Sequence, residues 1–213
     1  FSGSYLWWYQ AIEWGQRRQT MSAYHVSVLL KESIEHLNIR PDGNYVDLTF
    51  GAGGHSRSIL NELSAKGHLY GFDQDEDAAR NVIQDSRFKL IEANFRYVRR
   101  FLRLEDVHEV DGILADLGVS SYQLDAAERG FSYRFDAPLD MRMNKEAEFS
   151  ALDLLMTYQE EELVQVLSDF GEVRNAKTLA KAMVTGRKLT ALRTTHDLNR
   201  ILDMHVMLSL IHI

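Results

Sequence analysis

The chain has 213 residues, 45% of them hydrophobic and 26% charged, with 2 prolines, 13 glycines and a formal net charge of -7. That balance excludes a disordered or low-complexity chain and argues against a general polyanion binder, which needs a basic surface to neutralise phosphates. No cysteine occurs, which excludes disulfides, thiolate metal sites and a cysteine nucleophile and fits a reducing compartment.

The opening stretch FSGSYLWWYQAIEWGQRRQT holds all three tryptophans without clear periodicity. Residues 1–20 are therefore expected to be an upstream or non-native extension, with Met21 as the natural start. No apolar run is long enough to span a membrane, and no signal-peptide order opens the chain, so a soluble cytoplasmic protein is expected. From there, short runs rich in β-branched and aromatic residues alternate with segments of helical pattern. NYVDLT, HLYGFD, FKLIEAN and VDGILADL read as strands; SRSILNELSAKG and DEDAARNVIQD read as helices. Such alternation predicts βαβ units and a parallel sheet with helices on both faces.

Past Asp116 the rhythm changes to a loop from Gly118 to Asn144. Helical segments follow, clearest in YQEEELVQVLSDF and RNAKTLAKAMVTGRK. In these, Leu163, Val166 and Leu167 share one face, as do Leu179, Met183 and Val184, which predicts a small helical domain. The final LSLIHI resembles the translated end of a sequencing adapter, so residues 207–213 are expected to be an artefactual tail.

The turn TFGAGGHS follows the first strand. Gly51, Gly53 and Gly54 make a G-x-G-G pattern, with Ser56 where a dinucleotide fingerprint has its third glycine and without the Lys-Ser/Thr pair of a P-loop. Two adjacent glycines let the backbone approach a ligand that has no pyrophosphate, as in the first loop of S-adenosylmethionine-dependent methyltransferases; a tight turn without a ligand explains the pattern equally well. Asp73 ends the second strand at about the 20-residue spacing where a carboxylate reaches both ribose hydroxyls of an adenosine, and a helix N-cap is its competing role. Phe95 follows the third strand and Asp116 ends the fourth. Four consecutive strands thus deliver ligand-type groups to one edge, as a nucleoside site requires.

DLGVSSYQLDAAERGFS, continued by APLDMRM, together with YHVSVLLKE, PDGNYVDLTFGAGGHS and GFDQDEDA, closely resembles the RsmH (MraW) family of bacterial methyltransferases. That family modifies the exocyclic N4 of a cytosine in the decoding region of small-subunit (16S) ribosomal RNA. The resemblance runs from about Tyr24 to about Leu202. It implies a Rossmann-like class I methyltransferase sheet with a helical insertion domain, S-adenosyl-L-methionine as cofactor, and ribosomal RNA or the assembled 30S subunit as partner. It further implies that Gly53, Gly54 and His55 contact the cofactor, that Asp73 holds its ribose, and that Phe95, Asp116 and Gln123 complete the pocket. No metal is implied. The expected boundaries are 21–122 for the cofactor-binding domain and 123–206 for the substrate loop and helical insertion. In this family the chain returns from the insertion to supply further strands; this sequence is expected to stop inside it, leaving the catalytic domain incomplete.

Methyl transfer from a sulfonium is an in-line displacement governed by positioning. The lone pair of cytosine's amino nitrogen is delocalised into the ring, so acceptors for its protons assist. Asp116 and carbonyls of the DLGVSS loop are the expected acceptors, with Asp116 as the candidate catalytic residue; a purely cofactor-binding Asp116 stays open. Cytosine C5 chemistry normally needs a cysteine adduct, which this chain cannot supply. The loop RGFSYRFDAPLDMRM interleaves Arg129, Arg134 and Arg142 with Phe131, Tyr133 and Phe135. Guanidinium groups with aromatic faces suit single-stranded or splayed RNA and a flipped cytosine, whereas aromatics that merely anchor the loop are the structural alternative. The basic run RYVRRFLRLED is either a solvated helix face or a contact to RNA backbone. Two other functions remain open: a methyltransferase acting on DNA or a small molecule, and a non-catalytic nucleotide- or RNA-binding module.

Overall fold

The computed structural model describes residues 27–205; the expectations for residues 1–20, Met21 and residues 207–213 lie outside them. Helix α1 (Leu30–Leu37) leads into β1 (Asn44–Asp47). Next come α2 (Gly54–Glu62) and β2 (His68–Asp73), then a 3-10 turn at Glu76–Asn81 before β3 (Phe88–Glu92). A second 3-10 turn at Phe95–Tyr97 opens into α3 (Val98–Leu104), and β4 (Gly112–Leu114) follows. The four strands form one parallel sheet in the order β3-β2-β1-β4. This is the Rossmann-like α/β arrangement expected from the sequence. Strands β1, β3 and β4 end earlier than the apolar runs suggest, because the residues that follow turn out of the ladder to build the loops above the sheet.

Both faces of the sheet are covered, as a parallel sheet requires. With side chains alternating along each strand, Tyr45, Leu69 and Phe88 pack with Ile59 and Leu60 of α2, and Ile34 and Leu37 of α1 join them. On the opposite face Val46, Phe72 and Ile91 pack with Leu102, Val98 and Phe101 of α3. Tyr45, Val46, Ile59, Leu69 and Phe72 are fully enclosed, and each such burial contributes about 1.5–3 kcal/mol. The enclosed Tyr45 hydroxyl accepts the Arg40 N–H at 2.7 Å. Gly71 lies between two rings: a Cβ there would sit 2.9 Å from the Phe88 ring, which itself packs on Phe50 at a centroid separation of 5.2 Å.

The segment read as DEDAARNVIQD forms only the 3-10 turn, with Asp75 capping it by accepting the Asp77 N–H at 3.1 Å. The loop expected from Gly118 to Asn144 is not uniformly irregular. It contains α4 (Ser121–Asp125), closed by a capping box between Ser120 and Gln123, and a 3-10 turn at Ala127–Arg129. Ser-x-x-Gln is the spacing at which a hydroxyl and a side-chain amide satisfy each other's backbone N–H groups.

Helices α5 (Ala151–Thr157), α6 (Glu160–Asp169), α7 (Ala176–Leu189) and α8 (Thr195–His205) follow. They enclose a separate cluster in which Leu155, Leu163, Ala180, Met183 and Ile201 are buried and Leu167 and Val184 are partly so. The Arg187 guanidinium donates to the carbonyls of Leu155 and Tyr158 at 2.5 and 2.7 Å. It thereby satisfies carbonyls that the end of α5 leaves without helical partners.

Candidate functional site

Asp73, Phe95 and Asp116 all follow the carboxyl ends of parallel strands and so lie at one edge of the sheet, beside the glycine-rich turn. The turn reaches that edge through Asp47, which is fully buried at the end of β1. Its Oδ2 accepts from Ser56 Oγ at 2.7 Å and its Oδ1 from the Thr49 N–H at 3.1 Å. Burial pushes the Asp47 carboxyl up from its ordinary value, against the lowering effect of both donors. Thr49 carries the arrangement onward, because its Oγ1 accepts the Asp116 N–H at 2.8 Å. Asp47 was not singled out by the sequence reading; its only signal is a carboxylate closing an otherwise apolar strand.

Within the turn, Gly53 has φ +76 and occupies the cap position of α2, a left-handed conformation that costs any other residue about 1 kcal/mol or more. Gly51, at φ +52, donates its N–H to Asp73 Oδ2 at 2.8 Å, and Asn81 Nδ2 donates to the Gly51 carbonyl at 3.1 Å. Asp73 Oδ1 accepts the Asp75 N–H at 2.9 Å. The helix N-cap role is therefore taken by Asp75, and Asp73 instead braces the glycine turn. Both Asp73 oxygens are therefore already engaged by backbone N–H groups of its own edge. Partial burial raises the Asp73 carboxyl above its ordinary value, opposed by hydrogen bonds from Asp75 and Gly51.

His55 and Gly54 open α2. The His55 ring is 6% exposed and its Nε2 lies 3.1 Å from the Val28 carbonyl, so the ring ties the segment before α1 to the start of α2. Phe95 is 37% exposed. The preceding Asn94 donates to Gln74 Oε1 at 2.7 Å, which ties the exits of β2 and β3 together. Asp116 is exposed beyond β4. Gln123 is buried; its Nε2 donates to Asp75 Oδ2 at 2.7 Å, and its Oε1 accepts the Ser120 N–H at 3.0 Å.

The same Asp75 organises the long loop. Arg129 is 2% exposed, with Nη1 2.8 Å from Asp75 Oδ2 and 3.1 Å from Asp77 Oδ2. Its Nη2 donates to the carbonyls of Arg142 and Met143 at 2.9 and 3.1 Å. Lys145 Nζ also reaches Asp77, at 2.8 Å, and is the main cause holding that carboxyl below its ordinary value. Arg129 is thus enclosed and neutralised, and it does not present its guanidinium to a phosphate as the sequence suggested. Arg142 is likewise committed internally: it forks onto Asp140 at 2.6 and 3.0 Å and donates to the Ala147 carbonyl at 2.6 Å. Phe131 is half-buried beneath Arg129, at 5.9 Å from its guanidinium carbon to the ring centroid. Arg134 alone of these arginines stays outward, paired with the exposed Asp125 at 3.0 Å and lying over the Phe135 ring.

The backbone of the turn is open at Gly51. A Cβ at Gly51 would meet nothing closer than the Thr49 carbonyl at 3.9 Å. At the same edge stand the Asp73 carboxylate and the part-exposed Phe95 ring, an acceptor and a stacking face of the kind an adenosine takes. A cavity of about 620 Å³ lies elsewhere, between α1 and α2, and none of these groups lines it. Among the described residues, no helix is long and apolar enough to cross a membrane, and no cluster of His, Asp or Glu is arranged to hold a metal ion.

Comparison with known proteins places the chain in a family. The model of the MraW methylase family matches residues 22–209. The chain is 55% identical over 171 residues to the ribosomal RNA small subunit methyltransferase H of Bacteroides thetaiotaomicron, covering 80% of this chain and 56% of that protein. It is 54% identical over 175 residues to the protein of that name from Bacteroides fragilis, covering 81% and 58%. For the one from Flavobacterium psychrophilum the identity is 52% over 174 residues, covering 82% and 60%. The chain therefore spans between 56% and 60% of the length of these curated relatives.

Proposed function

The chain belongs to the MraW methylase family, and from that premise we propose that it acts as an S-adenosylmethionine-dependent methyltransferase on the N4 amino group of a cytosine in the decoding region of 16S ribosomal RNA. The observation that carries the reading is the convergence of Asp73, Phe95 and Asp116 on the edge where Gly51 donates to Asp73. The names of the relatives, ribosomal RNA small subunit methyltransferases, support ribosomal RNA as the substrate class.

Bound at this edge, S-adenosylmethionine supplies a methyl carbon made electrophilic by its sulfonium. The chain's own residues hold and orient. Asp73 would accept the ribose hydroxyls, Phe95 would offer a ring face to the adenine, and Gly53, Gly54 and His55 would form the wall of the turn. Gln123 acts from behind, fixing Asp75 and the start of the long loop.

Asp116, held by Thr49 at the end of β4, accepts hydrogen bonds from the cytosine amino group. Such acceptance would orient the amino nitrogen, and the carboxylate would take up the proton that the nitrogen gives up on methylation. Arg134 faces the phosphate of a splayed nucleotide, with the aromatic side chains of the loop beside it. Residues 21–122 form the cofactor-binding part of this reading and 123–206 the substrate loop and helical part.

Transfer of tritiated methyl from labelled cofactor to intact small subunits, free ribosomal RNA and DNA tests it. Label in the cytosine N4 of ribosomal RNA is expected. Cofactor binding without label in any RNA, or label confined to DNA or small molecules, overturns it.

A further inference from the structure

The basic run around α3 lies outside the site just described. Val98, Phe101 and Leu102 turn inward to the sheet, which directs Arg96, Arg99, Arg100 and Arg103 outward at helical spacing; all four are exposed. No acidic residue occurs between Phe95 and Leu104 on a chain whose net charge is -7. Elsewhere this protein pairs its arginines with aspartates: Arg40 with Asp111, Arg87 with Asp85, Arg134 with Asp125 and Arg200 with Asp197.

Along α3 that habit stops. The two carboxylates that follow the helix in sequence are already engaged, Glu105 by Lys89 at 2.5 Å and Asp106 by His108 at 3.2 Å. Among the described residues, Arg99, Arg100 and Arg103 have no ion-pair partner. Arg96 lies over the ring of Tyr97 at 5.2 Å, and that ring is 47% exposed.

We infer that the outward face of α3, with the Arg96–Tyr97 turn leading into it, is a docking tract for the sugar-phosphate backbone of single-stranded RNA. The inference rests on the RNA reading above and extends it to a surface. The helix starts at the carboxyl edge of β3, the same edge that holds Asp73 and Asp116, so a strand whose target base enters the crevice continues over it. Three guanidiniums with no carboxylate to release provide forked, fully available donors for phosphate oxygens. Tyr97 offers a face on which an unpaired base stacks.

The test is binding of a single-stranded RNA oligonucleotide to the full chain, followed by fluorescence anisotropy over a series of salt concentrations. The wild type is compared with the triple variant Arg99→Gln, Arg100→Gln, Arg103→Gln, and with a charge-matched control on α7, Lys177→Gln, Lys181→Gln, Lys188→Gln. All six side chains are exposed, so folding is not at stake. The slope of log K against log salt is expected to fall by about 2 in the arginine variant, at about 0.7 per lost phosphate contact on a single strand. It stays at the wild-type value in the lysine control, and cofactor affinity is equal in all three.

Equal slopes for the wild type and the arginine variant, or an equal drop in the lysine control, overturn the docking tract while leaving the methyl-transfer reading intact. Tighter binding to duplex DNA than to single-stranded RNA also overturns it. A wild type that binds no RNA at any salt likewise overturns the docking tract.

Discussion

Gly51 and Asp73, which leave neighbouring strands, are joined by a 2.8 Å hydrogen bond from a backbone N–H to a carboxylate oxygen. The bond makes one unit of the turn that faces the cofactor and the residue that grips its ribose, and it gives Asp73 a pH signature. Burial raises the Asp73 carboxyl above 3.8. A carboxyl raised by folding favours the folded state below its unfolded value, and that contribution is lost as pH rises through the folded value. Ligand binding runs the other way, because ribose hydroxyls donate to the ionised form. Cofactor affinity is therefore expected to fall on acidification, starting above the ordinary carboxylate range, and Asp73→Asn flattens the profile. A calorimetric titration series across pH reads both; affinity that holds down to about pH 4 contradicts the assignment.

Thr49 links β1 to β4 by accepting the Asp116 N–H. Thr49→Val keeps the shape and removes the acceptor, at a stability cost of about 1 kcal/mol. Asp116 then loses its tether while Asp73 and the glycine turn stay in place. The expected outcome is a drop in the methyl-transfer rate of about tenfold for each 1.4 kcal/mol of lost positioning, with cofactor Kd unchanged. Single-turnover transfer combined with calorimetry separates the two. A variant that loses both in parallel contradicts a positioning role for Thr49.

Arg129 is enclosed with Asp75 and Asp77. Its loss leaves Asp75 with Gln123 and Asp77 with Lys145 and Arg80, so Arg129→Met is expected to destabilise by about 1–3 kcal/mol, read by urea unfolding. Combining it with Asp75→Asn and Asp77→Asn restores part of the loss, because the carboxylates no longer lack the guanidinium. Strict additivity of the three substitutions contradicts the cluster as a unit.

Much of this molecule is legible in its sequence because local and global signals coincide. HLYGFD alternates as a strand and is one, from His68 to Asp73. The G-x-G-G turn sits where two left-handed glycines are needed, and the helical cluster follows the Leu163 and Met183 faces. What could not be read is long-range. Arg129, Arg134 and Arg142 look alike in a basic, aromatic loop. Only the fold places Asp75 and Asp77 against the first, Asp140 in a fork with the third, and solvent around the second.

Asp47 was hidden for the same reason: its partner Ser56 lies across a turn whose path the sequence does not state. Gln123 is named by family resemblance, whereas its hold on Asp75 appears only in three dimensions.

The central claim is that the carboxyl edge above β1 and β2 binds S-adenosylmethionine through Asp73. Isothermal calorimetry of the wild type and of Asp73→Ala with that cofactor tests it most directly. The account predicts saturable heat for the wild type and an affinity at least tenfold weaker for the variant, from the loss of charge-assisted bonds worth about 1.5–3 kcal/mol each, with far-UV dichroism unchanged. No heat from folded wild-type protein, or equal affinity in Asp73→Ala, would contradict it.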